Sequence, residues 1–426
     1  MRLYKKGIMY MTENILKLNI ERNQLENGIK VVFEQNKHLN SVTVGVWIGV
    51  GSRDENKDNN GIAHMIEHML FKGTDTMTAE ELAVRTAILG GNLNAYTSKE
   101  NTEFYCKTLP EHLKEAIDIL GDMICHSKIS QADLDKEKGV VCEEIDMYKD
   151  SPEDSVHELL QKKIWRHEPL GYLISGKYKN VKAFTSKQLR EFMSQYYTAD
   201  NMVVSVAGNF DKKETLNWIE DAFKDVPQKS KVDRMKRMVP HYHQAFFEKK
   251  KDIEQLHLNL GFVAPAFTDD KRHTAAILNC ILGGDVNSRL FQGIREKYGL
   301  TYSVYSYGSS FSDTGLLHIY AAMNPQQKDK VYSLISETIE DLRKNGIKKE
   351  ELENAKKQTI VEMTLSQDST SSLMSGNAKL AMYDMPFIPF KERAKHLEKV
   401  TKSQVNDLIM ECLDLETVSM GIIGPR

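Results

Sequence analysis

Val42-Thr43-Val44-Gly45-Val46-Trp47-Ile48 reads as a strand, and a strand of the same pattern, Leu256-His257-Leu258-Asn259-Leu260-Gly261-Phe262, follows at an offset of 214. In both, apolar residues alternate with the period of a half-buried strand. Farther out, Leu134-Asp135 and Asp150-Ser151 match Leu352-Glu353 and Asp368-Ser369 at an offset of 218. Thr185-Ser186-Lys187-Gln188-Leu189 with Gly208 matches Thr401-Lys402-Ser403-Gln404-Val405 with Gly424 at 216. A period of about half the chain predicts two homologous α+β halves. Between them, residues 225–245 open with Asp225-Val226-Pro227-Gln228-Lys229-Ser230-Lys231, polar, basic and poor in apolar periodicity. They read as a linker joining a half at 21–224 to one at 246–426, with residues 1–20 as an N-terminal extension.

At 426 residues the chain is too long for one hydrophobic core, which agrees with two domains. A net charge of −3 and a pI near 6.5 leave no global basic field, which argues against nucleic acid or an anionic membrane as partner. The longest apolar stretches, such as 42–50, are far too short to span a bilayer. The start, Met1-Arg2-Leu3-Tyr4-Lys5-Lys6-Gly7-Ile8-Met9-Tyr10-Met11, carries no sustained apolar segment or cleavage site, so a cytoplasmic location is the default. Met9 or Met11 is an alternative start. Five widely spread cysteines without C-x-x-C spacing fit reduced structural thiols rather than a disulfide framework, and Cys142 reads as packing.

The chemistry is concentrated in Gly61-Ile62-Ala63-His64-Met65-Ile66-Glu67-His68-Met69-Leu70-Phe71, which contains H-x-x-E-H. On a helix, His64 and His68 are one turn apart and Glu67 is three residues from His64, so two imidazoles and a carboxylate share a face. That set suits one Zn²⁺ and a water, with Glu67 placed to take the water's proton. Ile62, Met65, Ile66 and Met69 supply an apolar stripe for the helix, and the polar run Asp54 to Asn60 reads as a loop leading into it. At an offset of 214, His64, Glu67 and His68 fall opposite Leu278, Ile281 and Leu282. The second half is therefore expected to enclose substrate rather than hold a second ion. His241 and His243 could share a face of a strand, but no Cys or carboxylate set accompanies them.

A third protein ligand is needed, and Asp135-Lys136-Glu137-Lys138-Gly139-Val140-Val141-Cys142-Glu143-Glu144 offers candidates. Glu137 and Glu144, seven apart, lie on one helical face; Glu143 points about 100° round from Glu144. The H-x-x-E-H and the 76 positions from His68 to Glu144 together resemble the M16 (pitrilysin-like) metallopeptidases, close to their short bacterial processing-protease-like members. The resemblance implies Glu144 as third zinc ligand and Glu137 as a carboxylate that orients the site. It also implies that each half is an α/β sandwich, an antiparallel-rich sheet covered by helices.

The resemblance extends to Asn94-Ala95-Tyr96-Thr97-Ser98-Lys99-Glu100-Asn101-Thr102-Glu103-Phe104-Tyr105, which looks like the family's strand hairpin. Its edge would accept a substrate backbone near Asn94 and Ala95, whatever the side chains. Gly283-Gly284-Asp285-Val286-Asn287-Ser288-Arg289-Leu290-Phe291 and Arg295-Glu296-Lys297-Tyr298-Gly299-Leu300-Thr301-Tyr302-Ser303 resemble the second-half signature. By that likeness Arg295 and Tyr302 reach the substrate carbonyl and a developing oxyanion. The expectation is a zinc endopeptidase with one ion per chain, acting on short or unfolded peptides in an enclosed chamber. The resemblance also implies that two such chains pair to close one chamber, and because both the zinc motif and the Arg/Tyr pair are present here, a homodimer is expected. Two other readings are a non-catalytic scaffold of the same fold, as in respiratory-complex core subunits, and an organellar presequence-processing subunit.

Overall fold

The computed structural model describes residues 19–90 and 92–426. All but the end of the extension expected over 1–20, including the candidate starts Met1, Met9 and Met11, lies outside them. No described helix is long and apolar enough to cross a membrane. The chain runs β1 (Asn19–Gln24), β2 (Lys30–Gln35), β3 (Val42–Ile48), α1 (Ile62–Leu70), α2 (Ala79–Ile88), β4 (Asn92–Thr97), β5 (Thr102–Thr108), α3 (Leu113–His126), α4 (Gln131–Asp150), α5 (Pro152–Ile164), α6 (Tyr178–Ala183), α7 (Ser186–Tyr196), β6 (Met202–Gly208) and α8 (Lys212–Phe223). It continues through β7 (Phe246–Lys251), β8 (Leu256–Ala264), α9 (Arg272–Asn279), β9 (Thr301–Ser310), β10 (Gly315–Met323), α10 (Lys328–Asn345), α11 (Lys349–Leu365), α12 (Thr370–Met382), α13 (Phe390–Lys399), α14 (Lys402–Cys412) and β11 (Ser419–Pro425).

Two compact units form, and neither is a contiguous half. One comprises residues up to 145 with Tyr172–Arg237 and Thr364–Arg393; the other comprises Asp146–Gly171, Met238–Met363 and Ala394–Arg426. The first unit thus holds α12, and the second holds α5. Residues 225–245 carry neither helix nor strand.

The first unit's sheet has the order β1-β2-β6-β3-β5-β4, with β2 and β6 parallel and the other neighbours antiparallel. Val42, Val44, Val46 and Ile48 face a core shared with Met65, Ile66, Met69, Ile117 and Leu120. The half-buried strand expected here is instead buried at every residue. Its other face is covered by α12, where Trp47, Val32 and Val203 pack on Leu373, Met374 and Ala378. Thr43 Oγ1 meets Thr370 Oγ1 at 2.8 Å, and Ser205 Oγ donates to the Met374 carbonyl at 2.9 Å. Gly45 permits the approach, because a Cβ there would lie 2.2 Å from Met374 Sδ.

The second sheet, β7-β11-β8-β10-β9, repeats the first strand for strand without a counterpart of β1, down to the one parallel pair, β7 with β11. Leu256, Leu258, Leu260 and Phe262 face one core, and Leu278, Ile281 and Leu282 are buried in it. The opposite face meets α5 through Val156, Leu160 and Ile164. Repeated helix starts use repeated caps. Thr185 with Gln188 and Thr401 with Gln404 form capping boxes, and Ser151 and Ser369 are N-caps whose hydroxyls accept from Asp154 N and Ser372 N.

Candidate metal centre

Helix α1 forms where Ile62, Met65, Ile66 and Met69 supply a buried stripe, and that packing fixes which way its polar residues point. His64, Glu67 and His68 emerge on the side facing α4, which delivers Glu137 and Glu144. His64 Nε2 stands 3.7 Å from Glu144 Oε1, and His68 Nε2 stands 3.3 Å from Glu144 Oε2. Among the described residues, His64, His68 and Glu144 are the one group of three whose donor atoms lie within 4.8 Å of one another. Donors about 2.1 Å from a tetrahedral zinc lie roughly 3.4 Å apart, so the set fits that ion. Glu143 is exposed, on another side of α4.

The electrostatics suit the same ion. Burial, with His68 adding to it, pushes His64 down to about 4, so its ring is neutral and its lone pair free. For His68, burial works downward, but hydrogen bonds to Glu144 and Glu137 prevail and raise it. The bond from His68 holds Glu144 below the usual carboxylate range against the effect of its burial. Glu137 is buried, with Oε1 2.9 Å from His68 Nδ1 and Oε2 2.6 Å from Lys72 Nζ. With Nδ1–H donated to Glu137, loss of the proton that Nε2 shares with Glu144 would leave the Nε2 lone pair facing the site and able to bind an ion.

Glu67 turns from this pair toward the hairpin, where Thr97 Oγ1 donates to Oε2 at 2.5 Å. Burial raises the Glu67 carboxyl, with Thr97 working against it. A carboxylate moved upward in this way is better matched to proton transfer near neutrality. Burial, and then Glu67 itself, pushes Glu103 on β5 up to about 7, and Glu103 Oε2 is buried without a hydrogen-bond partner. Thr97, Lys72 and Glu103 were not singled out from the sequence. Lys72 had one signal, its i, i+4 spacing from His68, whereas Thr97 and Glu103 depend on strand pairing.

Asn94 and Ala95 lie on β4, the edge strand beside β5, opposite Tyr105 and Phe104; Asn94 is exposed and its Oδ1 accepts from Ala95 N at 2.9 Å. In the second unit, the Arg295 guanidinium carbon sits 4.8 Å from the Phe291 ring centroid and 5.0 Å from that of Tyr302, which is exposed on β9. The structure therefore brings Arg295 and Tyr302 together. His241 and His243 have ring centroids 4.6 Å apart, in coil rather than a strand, with no third donor among the described residues. None of the five cysteines forms a disulfide, and Cys142 is buried.

Residues 30–177 match the family described as Insulinase (Peptidase family M16), and residues 183–359 match the Peptidase M16 inactive domain. An uncharacterized zinc protease of Bacillus subtilis, YmxG, is 41% identical over 406 residues, covering 95% of this chain and 98% of the relative. An uncharacterized zinc protease of Mycobacterium leprae is 34% identical over 95% of this chain and 91% of its own length. Among solved structures, a protease from Helicobacter pylori superposes with a TM-score of 0.87 at 22% identity, over 96% of this chain and 99% of that one. A chain of complex III from Candida albicans superposes at 0.83 with 17% identity, over 95% and 96%. At such identities these two likenesses bear on the fold alone.

Proposed function

The chain belongs to the M16 peptidase family, and from that membership we propose that it is a zinc-dependent endopeptidase holding one ion per chain on His64, His68 and Glu144. The observation that carries the reading is the convergence of two imidazole nitrogens and a carboxylate, with a raised, Thr97-bonded carboxyl next to them. When bound, zinc supplies Lewis-acid activation of a water and of the scissile carbonyl. Glu67 accepts the water's proton and delivers it to the leaving amine. Glu137 holds the His68 ring in its ligating tautomer, and Lys72 holds Glu137. Asn94 and Ala95 receive the substrate as an added strand, and Arg295 with Tyr302 stabilises the oxyanion. Backbone recognition on an edge strand favours extended, unfolded or short peptides, and the working form is a homodimer.

The competing reading is a non-catalytic M16 scaffold, suggested by the inactive-domain match of the second half. A complete donor set with a proton-accepting carboxyl beside it counts against that. Glu67→Gln decides between them: zinc content should stay at one per chain while kcat on unstructured peptides falls roughly 10²–10⁴-fold. Wild-type protein that binds zinc but cleaves no peptide would favour the scaffold, and undiminished turnover in the variant would exclude Glu67 as the base.

A further inference from the structure

The start of α1 lacks the side chain that usually caps a helix. Its N-cap is Gly61 at φ 104°, where a Cβ would lie 2.9 Å from Gly176 Cα. Gly176 is held in turn, since a Cβ there would lie 2.5 Å from both the Asn60 carbonyl oxygen and Gly61 Cα. With two backbones this close, a capping Ser, Thr or Asp has no room. The first-turn donors nevertheless need acceptors, because they are buried.

Glu55 supplies them from six residues upstream. Its carboxyl is fully buried; Oε2 accepts from Gly61 N at 2.8 Å and Oε1 from Ala63 N at 2.9 Å. Asn60 Nδ2 also donates to Oε2 at 2.8 Å and to the Leu173 carbonyl at 2.8 Å, while Asn180 Nδ2 donates to the Asn60 carbonyl at 3.2 Å. The two residues before Glu55 are buried as well, and each holds a different segment. Arg53 Nη1 donates to Glu100 Oε1 at 2.7 Å, in the turn of the hairpin that carries Thr97. Asp54 receives Arg237 through Nε at 2.8 Å and Nη2 at 2.7 Å. The run expected as a polar loop is, at its head, a buried charged clamp.

We infer that Glu55 is a positioning residue for the metal centre: it fixes the axial position of α1, and with it the placement of His64 and His68, by capping both ends of the Gly61–Ala63 backbone. The inference rests on the metal reading proposed above. A carboxylate accepts on both oxygens, whereas a carboxamide accepts on one and sets an NH₂ against a backbone N–H on the other. Glu55→Gln is therefore disruptive at constant size.

The test compares Glu55→Gln with Leu120→Ala, a cavity in the same core on α3 that destabilises the fold while removing none of the Glu55 hydrogen bonds. In metal-free protein, amide exchange of Gly61 and Ala63 should quicken about 10-fold or more in Glu55→Gln relative to Leu120→Ala. In chelator competition, zinc affinity should fall about 10–100-fold in Glu55→Gln and stay near wild type in Leu120→Ala, with the cobalt absorption spectrum altered only in the former. Equal exchange in the two variants, or wild-type affinity and spectrum in Glu55→Gln, overturns the inference. Wild-type protein that takes up neither ion counts against the metal reading alone, since the exchange measurement still decides the cap.

Discussion

Glu143 and Glu144 are sequence neighbours with different surroundings. Glu144 turns toward two imidazoles, and Glu143 is exposed. Helical spacing alone separated the two by about 100°, but which of them faced α1 depended on how α4 docks. Glu144→Gln should lose most bound zinc, and Glu143→Gln should keep it; metal analysis after dialysis checks this, and equal loss from both would mean the ligand is misassigned. Glu137 was legible as a carboxylate two turns away, but its bonds to both His68 Nδ1 and Lys72 arise only once the helices pack. If Tyr302 is an oxyanion donor as proposed, Tyr302→Phe should lower kcat by about 10²-fold or somewhat less with zinc content unchanged; normal kcat would remove Tyr302 from the proposed mechanism.

At the scale of elements, α5 and α12 occupy corresponding places in the repeat, and each covers the face of a sheet opposite its main core. Beneath α5 that face is polar and aromatic. His157 Nδ1 meets Tyr307 OH at 2.6 Å and Asn259 Nδ2 at 2.9 Å, and His318 stacks on Tyr307 with 4.7 Å between centroids. Burial pushes His157 down to about 4, against the pull of Glu153 and Asp154 and with His257 adding to the fall. Burial, with His157 adding, pushes His318 down to about 3. The unfolded chain protonates such groups near 6.5, so between pH 6.5 and 4 it binds more protons than the folded chain. Stability from this cluster is therefore complete above about pH 7 and lost as pH falls through that window. Melting temperatures measured from pH 8 to 4 should plateau and then fall. His157→Gln should flatten the acid limb even where its plateau is lower, and an unchanged slope would remove the cluster as the cause. Neither ring nitrogen of His318 has a hydrogen-bond partner, so His318→Phe should be neutral or stabilising by about 1 kcal/mol in chemical denaturation.

For the whole molecule, the exchange of helices leads to the expectation that sequence halves do not fold alone. A chain ending at residue 237 lacks α12 and would expose Val32, Trp47, Val203 and Ala207. Losing burial worth about 1.5–3 kcal/mol for each large apolar side chain consumes much of a typical domain's margin. That fragment should aggregate or lack a cooperative melt, and a peptide spanning 364–393 added in trans should restore one. A cooperative melt at the full-length temperature without the peptide would show that α12 is dispensable. By itself the sequence determined the periodic facts: the repeat, the strands that alternate, and the spacing that puts His64, Glu67 and His68 on one helical face, because these follow from the local geometry of 2.0 and 3.6 residues per repeat. Only the tertiary structure decided that β3 is buried on both faces, that α5 and α12 are traded, that Thr97 and Glu103 stand beside Glu67, and that Glu55 caps α1. Those relations join residues far apart in the chain, through packing and buried hydrogen bonds that no local period records.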